Sequence, residues 1–185
     1  MLDTIQKTNG LDLDVLGTVV EAVQADPAQA LVQFRVQTRW TGQTRSESTV
    51  DSYVLGGERI ERRFKIVADE PIELLGANTA PNPQELLMSA VNACMTVGYV
   101  ANASLRGITL EALEIEMQGE LDLRGFLGLS DDVPPGYRRL DYVVRMKGDG
   151  TAAQYEEIHQ AVMKTSPNYF NMARPIRMNG TLSVG

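Results

Sequence analysis

The chain has 185 residues, 43% of them hydrophobic and 22% charged, which is the balance of an ordinary globular protein that can bury a sizeable core. Its formal net charge of -7 argues against a nucleic-acid partner, because binding to the phosphate backbone depends on clusters of lysine and arginine. One cysteine excludes an internal disulfide, and the first residues lack the basic start and apolar core of a signal peptide, so we expect a soluble, cytoplasmic protein.

The first 29 residues are predicted to form a helical N-terminal extension. Apolar residues recur at steps of three and four across residues 11–26, and Pro27 ends the pattern. From residue 30 the period changes to two, because Val32, Phe34 and Val36 alternate with polar residues. We therefore expect the strand-rich part of the domain to begin at residue 30.

Three successive strands are predicted for the start of this domain. Gly42 lies in a turn after the first strand, a second strand covers residues 46–55 and ends at Gly56-Gly57, and a third covers residues 60–68. Alternation predicts one face of the third strand to carry Ile60, Arg62, Phe64 and Ile66. Strands joined by tight turns indicate an antiparallel β-meander.

A long helix is predicted over residues 83–106. Asn82 can cap it, Pro83 can begin it because the first turn leaves that N–H unpaired, and Gly107 can end it. Cys94 falls on its apolar stripe, and small residues along the helix would let another backbone approach closely. Charged residues such as Glu85 interrupt the apolar runs, so no membrane span is expected.

Two further strands, over residues 108–123 and 138–147, precede a second main helix over residues 151–165 and a last strand over residues 176–184. Because the strands cluster instead of alternating with helices, the fold class is predicted to be α+β. The only histidine, His159, is expected to be solvated or locally bonded, since a metal site would need more ligands. No metal or cofactor is expected.

The segment from Asn82 to Met95, with its Asn-Pro start and a run of small residues leading to Cys94, resembles the central helix of the OsmC/Ohr family. The order of strands and helices over roughly residues 30–185 is also similar. The resemblance implies an OsmC-like fold with two main helices and an intertwined homodimer with active sites at the subunit interface. It also implies reduction of organic hydroperoxides, which members of the family perform with two cysteines.

Three positions depart from the family's pattern. The family's second cysteine is matched here by Ser166, and a serine cannot form a disulfide. A glutamate directly follows the family's Asn-Pro pair, whereas here Gln84 stands at that position and Glu85 comes about 100° further around the helix. The family's active-site arginine lies on an early hairpin, where Arg45 and, second, Arg39 are the candidates in this chain.

Two functions remain possible from the sequence. In the first, Cys94 reduces organic hydroperoxides as a single peroxidatic cysteine, assisted by Arg45, Arg39 or Glu85, and an external thiol recycles it. A cation is needed because Cys94 lies too far from the helix N-terminus to benefit from the helix dipole. In the second, Cys94 is a packing residue of a non-catalytic dimer that binds a small apolar ligand at the subunit interface.

The residues after the second main helix also have candidate roles. Ser166 is interpreted as part of a helix terminator, because no histidine lies at motif distance from it. Tyr169, Phe170 and Met172 either line an apolar pocket beside Cys94 or pack beneath the helix.

Overall fold

The computed structural model describes residues 7–185 and has the predicted α+β class, with antiparallel sheets and several helices. It divides into two units, of which the first ends at Ser89 and the second begins at Ala90. Each unit is described separately below.

The first described residues form a short hairpin followed by a helix. The hairpin pairs β1 (Lys7–Thr8) with β2 (Leu11–Asp12), and helix α1 (Leu13–Ala25) follows at once. Asp12 caps α1, because its carboxylate accepts hydrogen bonds of 3.1 Å from two backbone N–H groups of the first turn. The predicted helix is confirmed, but it begins later because Leu11 and Asp12 belong to the hairpin.

The sheet of the first unit is the predicted meander with its first strand broken in two. β5 (Arg45–Leu55) is the central strand, and β6 (Glu58–Ala68) pairs with it along one edge. β3 (Val32–Phe34) and β4 (Gln37–Gly42) pair one after the other along its second edge. Gly56 has a φ of 56° in the turn before β6, a conformation that favours glycine.

A bulge in β6 interrupts its regular pairing with β5. Phe64 pairs with Val50 while Ile60 pairs with Tyr53, so four steps along β6 match three steps along β5. Arg62 and Phe64 of the predicted face are neighbours, since the Arg62 guanidinium carbon lies 5.6 Å from the centroid of the Phe64 ring. The Arg62 guanidinium carbon lies 4.9 Å from the centroid of the Tyr53 ring.

The long central helix is confirmed as α2 (Pro83–Leu105). At its start, the Asn82 side chain accepts a hydrogen bond of 2.8 Å from the Glu85 N–H, and the Glu85 carboxylate accepts one of 2.8 Å from the Asn82 N–H. At its end, Gly107 has a φ of 68° and its N–H donates to the Ser104 carbonyl.

By length and composition α2 is apolar enough to cross a membrane, with a mean hydropathy of 1.3. The one charged residue of α2, Glu85, lies in its first turn. Core helices meet the same criterion, and α2 contributes the fully buried Met95 and Tyr99 to a core.

The second unit packs two helices against a two-stranded antiparallel sheet. The sheet consists of β7 (Leu110–Gly119) and β8 (Leu140–Gly148), and the short helix α3 (Leu123–Phe126) lies between them in the chain. Helix α4 (Ala152–Thr165) begins at a capping box of Thr151. The core combines residues of α2, α4 and the connection to β7, namely Val91, Met95, Tyr99, Ala103, Ile108, Ile158 and Val162.

Helices α2 and α4 approach closely at Gly98. A Cβ atom at this glycine would lie 3.2 Å from Cγ2 of Val162, which is tighter than most side-chain contacts. The expectation that small residues of the central helix permit close approach is confirmed at this position.

The end of the chain differs from the prediction. Ser166 and Pro167 end α4 but also begin a new helix, α5 (Pro167–Ala173), in which Ser166 is the cap and the proline is the first residue. The predicted strand over residues 176–184 is wrong, because this segment has no regular structure and no strand of the described chain pairs with it. Its apolar side chains are exposed, namely Ile176, Met178, Leu182 and Val184.

Candidate functional site

Cys94 lies in the middle of α2, at the edge of the buried face. Val91, Met95 and Tyr99 are buried at intervals of four residues and form the centre of that face. Cys94 precedes Met95 by about 100° around the helix and is half-buried. The predicted apolar stripe is therefore displaced toward Met95 and Tyr99, which the periodicity did not single out.

Ser166 is the polar neighbour of Cys94. Its Oγ donates a hydrogen bond to the Cys94 Sγ over 3.4 Å, and it accepts one of 3.4 Å from the Tyr169 N–H. The Ser166 side chain is held in place by burial, since the residue is only 4% exposed. The residue matched to the family's second cysteine thus contacts Cys94, but as a hydroxyl that can stabilise a sulfur anion and cannot form a disulfide.

A cavity of about 440 Å³ opens beside this pair. It is lined by Val91, one helical turn before Cys94, and by Tyr169, whose N–H bonds to Ser166. Further lining comes from apolar or aromatic residues, among them Met117, Leu140, Tyr142 and Met172. Of the three residues predicted to line a pocket or pack beneath the helix, Tyr169 and Met172 line the cavity and Phe170 is exposed.

Two arginines also line this cavity, and the sequence-based reasoning missed both. Arg139 is neutralised by Asp141, at an N···O distance of 2.6 Å. Arg138 donates a long hydrogen bond of 3.5 Å to the Asp132 carbonyl oxygen and makes no ion pair with any carboxylate of residues 7–185. The only sequence signal was the Arg138-Arg139 pair itself, directly ahead of a strand.

An aromatic group connects the two main helices. The Tyr99 hydroxyl lies 2.5 Å from Nδ1 of His159, and the Tyr142 ring packs between His159 and Tyr169 at centroid distances of 6.2 and 6.3 Å. Burial raises the pKa of the Tyr99 phenol above its ordinary range and also raises the pKa of Tyr142. Both phenols therefore stay protonated, and the expectation of a locally bonded histidine is confirmed.

Arg39 and Arg45, the predicted cation candidates, lie together in the first unit. Arg39 is the cross-strand partner of Glu47, and Arg45 lies two residues from Glu47 on the same face of β5. The pKa of Glu47 is lowered chiefly by its hydrogen bond with Lys65 and further by both arginines. Arg45 also donates to the Thr41 hydroxyl over 3.3 Å. Their role toward Cys94 stays a prediction.

The carboxylate of Glu85, the fourth predicted site residue, is engaged in capping α2. Its Oε2 accepts the N–H of Asn82, so the observed contact of this side chain is structural. A role in catalysis stays a prediction for Glu85 as well.

Asp69 was not singled out from the sequence, yet it ties together two loops of the first unit. Its buried carboxylate accepts hydrogen bonds from the Thr44 hydroxyl at 2.8 Å, from the Thr79 hydroxyl and N–H at 2.7 and 3.0 Å, and from the Glu70 N–H at 2.9 Å. These bonds, chiefly those from Thr79, hold the pKa of Asp69 well below its usual range. Asp69 thereby fixes the hairpin turn next to Arg45 and the loop that leads into α2.

The fold is shared with solved OsmC-like proteins. An OsmC-like protein from Mycoplasma pneumoniae matches with a TM-score of 0.58 at 16% sequence identity, over 76% of this chain and 87% of that chain. An OsmC-like protein of unknown function from Vibrio cholerae matches with a TM-score of 0.53 at 13% identity, over 75% and 92%. No curated protein matches the sequence significantly. The fold is therefore that of the OsmC-like α+β proteins.

The sequence leads to the same family independently. Residues 76–179, which include α2, Cys94 and Ser166, match the family described as OsmC-like protein. The chain therefore belongs to the OsmC-like protein family, as the resemblance of the Asn82–Met95 segment predicted.

Proposed function

We propose that the chain is a thiol-dependent reductase of organic hydroperoxides that uses Cys94 as its single peroxidatic cysteine. The observation that carries this proposal is the hydrogen bond from the Ser166 Oγ to the Cys94 Sγ. A hydroxyl donor stabilises negative charge on the sulfur, and the thiolate is the form that attacks a peroxide. The half-buried position of Cys94 beside a mostly apolar cavity suits a substrate with an organic body.

The reaction oxidises Cys94 in one step and returns it to the thiol in two further steps. The Cys94 thiolate attacks the terminal peroxide oxygen, the O–O bond breaks, and the alkoxide leaves and takes up a proton to become the alcohol, so that the sulfur becomes a sulfenic acid. Because the chain has no second cysteine, one external thiol attacks the sulfenic acid and displaces water to form a mixed disulfide. A second external thiol attacks this disulfide, which releases the Cys94 thiol and a disulfide of the two external thiols. A cytoplasmic location fits this cycle, since that compartment supplies reduced thiols.

The proposed enzyme is a homodimer, because a single chain exposes too much surface. The chain exposes 14112 Å², whereas two separate monomeric proteins of half its length would together expose roughly 10,600 Å². Val50 is the one buried apolar residue among those described in the first unit, and the rings of Phe34, Trp40 and Phe64 are 65%, 76% and 59% exposed. Since a sheet needs a covered apolar face for stability, a second copy of the chain is the proposed cover.

The cation assigned to the Cys94 thiolate in this proposal is Arg45, with Arg39 as the second candidate. The support is chemical: arginine stays charged at all working pH values and can stabilise both the thiolate and the departing alkoxide. The hydrogen bond from the Thr44 hydroxyl to the Asp69 carboxylate holds the hairpin next to Arg45, which is the preorganisation that such a role needs.

A second candidate function is the binding of a small apolar ligand without catalysis. The specific observation in its favour is that Cys94 does not line the cavity, which is bounded instead by Val91, Tyr142 and Tyr169. In this case Cys94 would be a packing residue at the edge of the α2–α4 contact.

The deciding experiment compares wild type with Cys94→Ser, each reduced and then exposed to one equivalent of an organic hydroperoxide. Intact mass with and without a sulfenic-acid trap reports the intermediate, and peroxide loss reports the rate. Prompt trapping in wild type alone, at a rate well above that of a free thiol, is the expected result. A rate equal to that of a free thiol would overturn the catalytic proposal and leave the binding function.

A further inference from the structure

We infer that the cavity beside Cys94 binds an aromatic carboxylic acid, with Arg138 as the residue that recognises the carboxylate. The inference names a ligand class for the cavity and so rests on the proposed function, where the cavity receives the organic body of the substrate. It is drawn from three features of the second unit, which are the size of the cavity, the rings that line it and the unpaired guanidinium beside it.

The size of the cavity and the side chains that line it favour a ligand with a flat, apolar body. A volume of about 440 Å³ lies within the usual range of small-molecule sites. The rings of Tyr137, Tyr142 and Tyr169 line the cavity, together with the thioethers of Met117 and Met172. Aromatic edges and methionine sulfurs both make favourable contacts with a further ring.

The tyrosine rings are already arranged to accept a third ring. Tyr142 and Tyr169 meet edge-on, with an interplanar angle of 78° and a centroid distance of 6.3 Å. Rings at nearly a right angle present a face and an edge side by side, an arrangement in which a planar ligand stacks on one tyrosine and meets the edge of the other. A flexible alkyl chain gains no comparable contact and loses more conformational freedom on binding.

The charge of Arg138 indicates the polar end of the ligand. Asp141 neutralises Arg139, which leaves Arg138 as the guanidinium of the cavity that no carboxylate of residues 7–185 pairs with. A guanidinium presents parallel N–H donors that match a carboxylate, so Arg138 is the group of the cavity that attracts an anion. A ligand with a ring at one end and a carboxylate at the other satisfies both features.

The test is calorimetric titration of the full-length Cys94→Ser protein, so that binding is measured without chemistry. The probes are 2-naphthoate, the neutral 2-naphthalenemethanol and the alkyl acid decanoate. We expect 2-naphthoate to bind more tightly than either of the others. Arg138→Gln should weaken it by about threefold to tenfold, as the loss of one partly exposed charge pair predicts, and Arg138→Lys should weaken it less.

The matched control is Arg145→Gln, which removes the same charge from an ion-paired arginine of β8 that does not line the cavity. It should leave the affinity for 2-naphthoate unchanged. Equal effects of Arg138→Gln and Arg145→Gln, tighter binding of decanoate, or no difference between naphthoate and naphthalenemethanol would each overturn the inference. The titration uses a variant without Cys94, so a negative binding result leaves the conclusion from the wild-type peroxide assay unchanged. A negative peroxide assay likewise leaves the conclusion on binding unchanged.

Discussion

The Ser166 Oγ lies 3.4 Å from the Cys94 Sγ, although 72 positions separate the two residues in the chain. The contact arises because α4 ends opposite the middle of α2, where Gly98 lets Val162 approach closely. The hydroxyl that caps α5 therefore lies against the sulfur of Cys94.

Ser166→Cys should convert the site into a two-cysteine site. A sulfur at the position of the hydroxyl would lie close enough to Cys94 for a disulfide with small side-chain adjustments. After one equivalent of organic hydroperoxide, intact mass should show the loss of two hydrogens and no trapped sulfenic acid. Thr165→Cys, at the exposed neighbouring position, is the control and should form no internal disulfide. A Ser166→Cys protein that remains a dithiol would show that the two side chains do not meet.

Ser166→Ala should lower both stability and reactivity. The change removes the cap of α5 and the donor to the sulfur, and loss of a serine cap costs about 1 kcal/mol of unfolding free energy. Urea unfolding checks the first effect, and the rate of peroxide loss per Cys94 thiol checks the second. Ser166→Thr keeps the hydroxyl and should restore most of both. An alanine variant with the wild-type rate would mean that the hydroxyl does not assist the sulfur.

Arg45→Gln should slow the peroxide reaction more than Arg39→Gln does. We expect a reduction of about tenfold, which corresponds to ~1.4 kcal/mol less stabilisation of the charged transition state. The two variants are matched controls for each other, because both arginines flank Glu47 and both lose one charge. If Arg39→Gln causes the larger loss, the assignment of the two residues is reversed. Unchanged rates in both variants would remove the cation from the mechanism.

Gly98→Leu should destabilise the packing of α2 against α4. A side chain at Gly98 meets Val162 at 3.2 Å even at its Cβ, and overpacking of this kind costs about 1–3 kcal/mol. Combining it with Val162→Ala should cost less than the sum of the two single changes, because the second change makes room for the first. Val97→Leu, at a position that is 69% exposed, is the control and should have little effect in urea unfolding. Additive effects of the first pair would contradict the close contact.

Asp69→Asn should change the acid sensitivity of the fold. Because the folded-state pKa of Asp69 is lowered, its contribution to stability is fully present above the unfolded-state value of about 3.9 and is lost as the pH falls through the folded-state value. The variant should therefore have a lower Tm than wild type at pH 7, and the difference should shrink as the pH is lowered from about 4. Asp51→Asn, which alters an exposed carboxylate, is the control. A Tm difference that stays constant from pH 7 to pH 3 would contradict this role.

Most of the secondary structure could be predicted from the sequence because its signals are local. Asn82, Pro83 and Gly107 bound α2 through hydrogen bonds within a few residues of each end. Alternating side chains and Gly56-Gly57 likewise indicated the meander. The segment from Asn82 to Met95 was sufficient for the family resemblance, and the match over residues 76–179 confirmed it.

The predictions that failed concern contacts between distant parts of the chain. Unbroken alternation was predicted from Ile60 to Ile66, but the pairing of this strand with β5 contains a bulge. The period-two pattern of residues 176–184 predicted a strand, yet a strand forms only where a neighbour supplies hydrogen bonds, and none does in the described chain.

The sequence by itself thus determined the family, the ends of α2, the meander and the presence of a single cysteine, because each is recorded in neighbouring residues. Only the tertiary structure decided that Met95 and Tyr99 centre the buried face, that Ser166 contacts Cys94, and that Asp69 joins two loops. These relationships depend on which surfaces pack together. Packing is set by the summed burial of many residues far apart in the chain, and no local pattern records it.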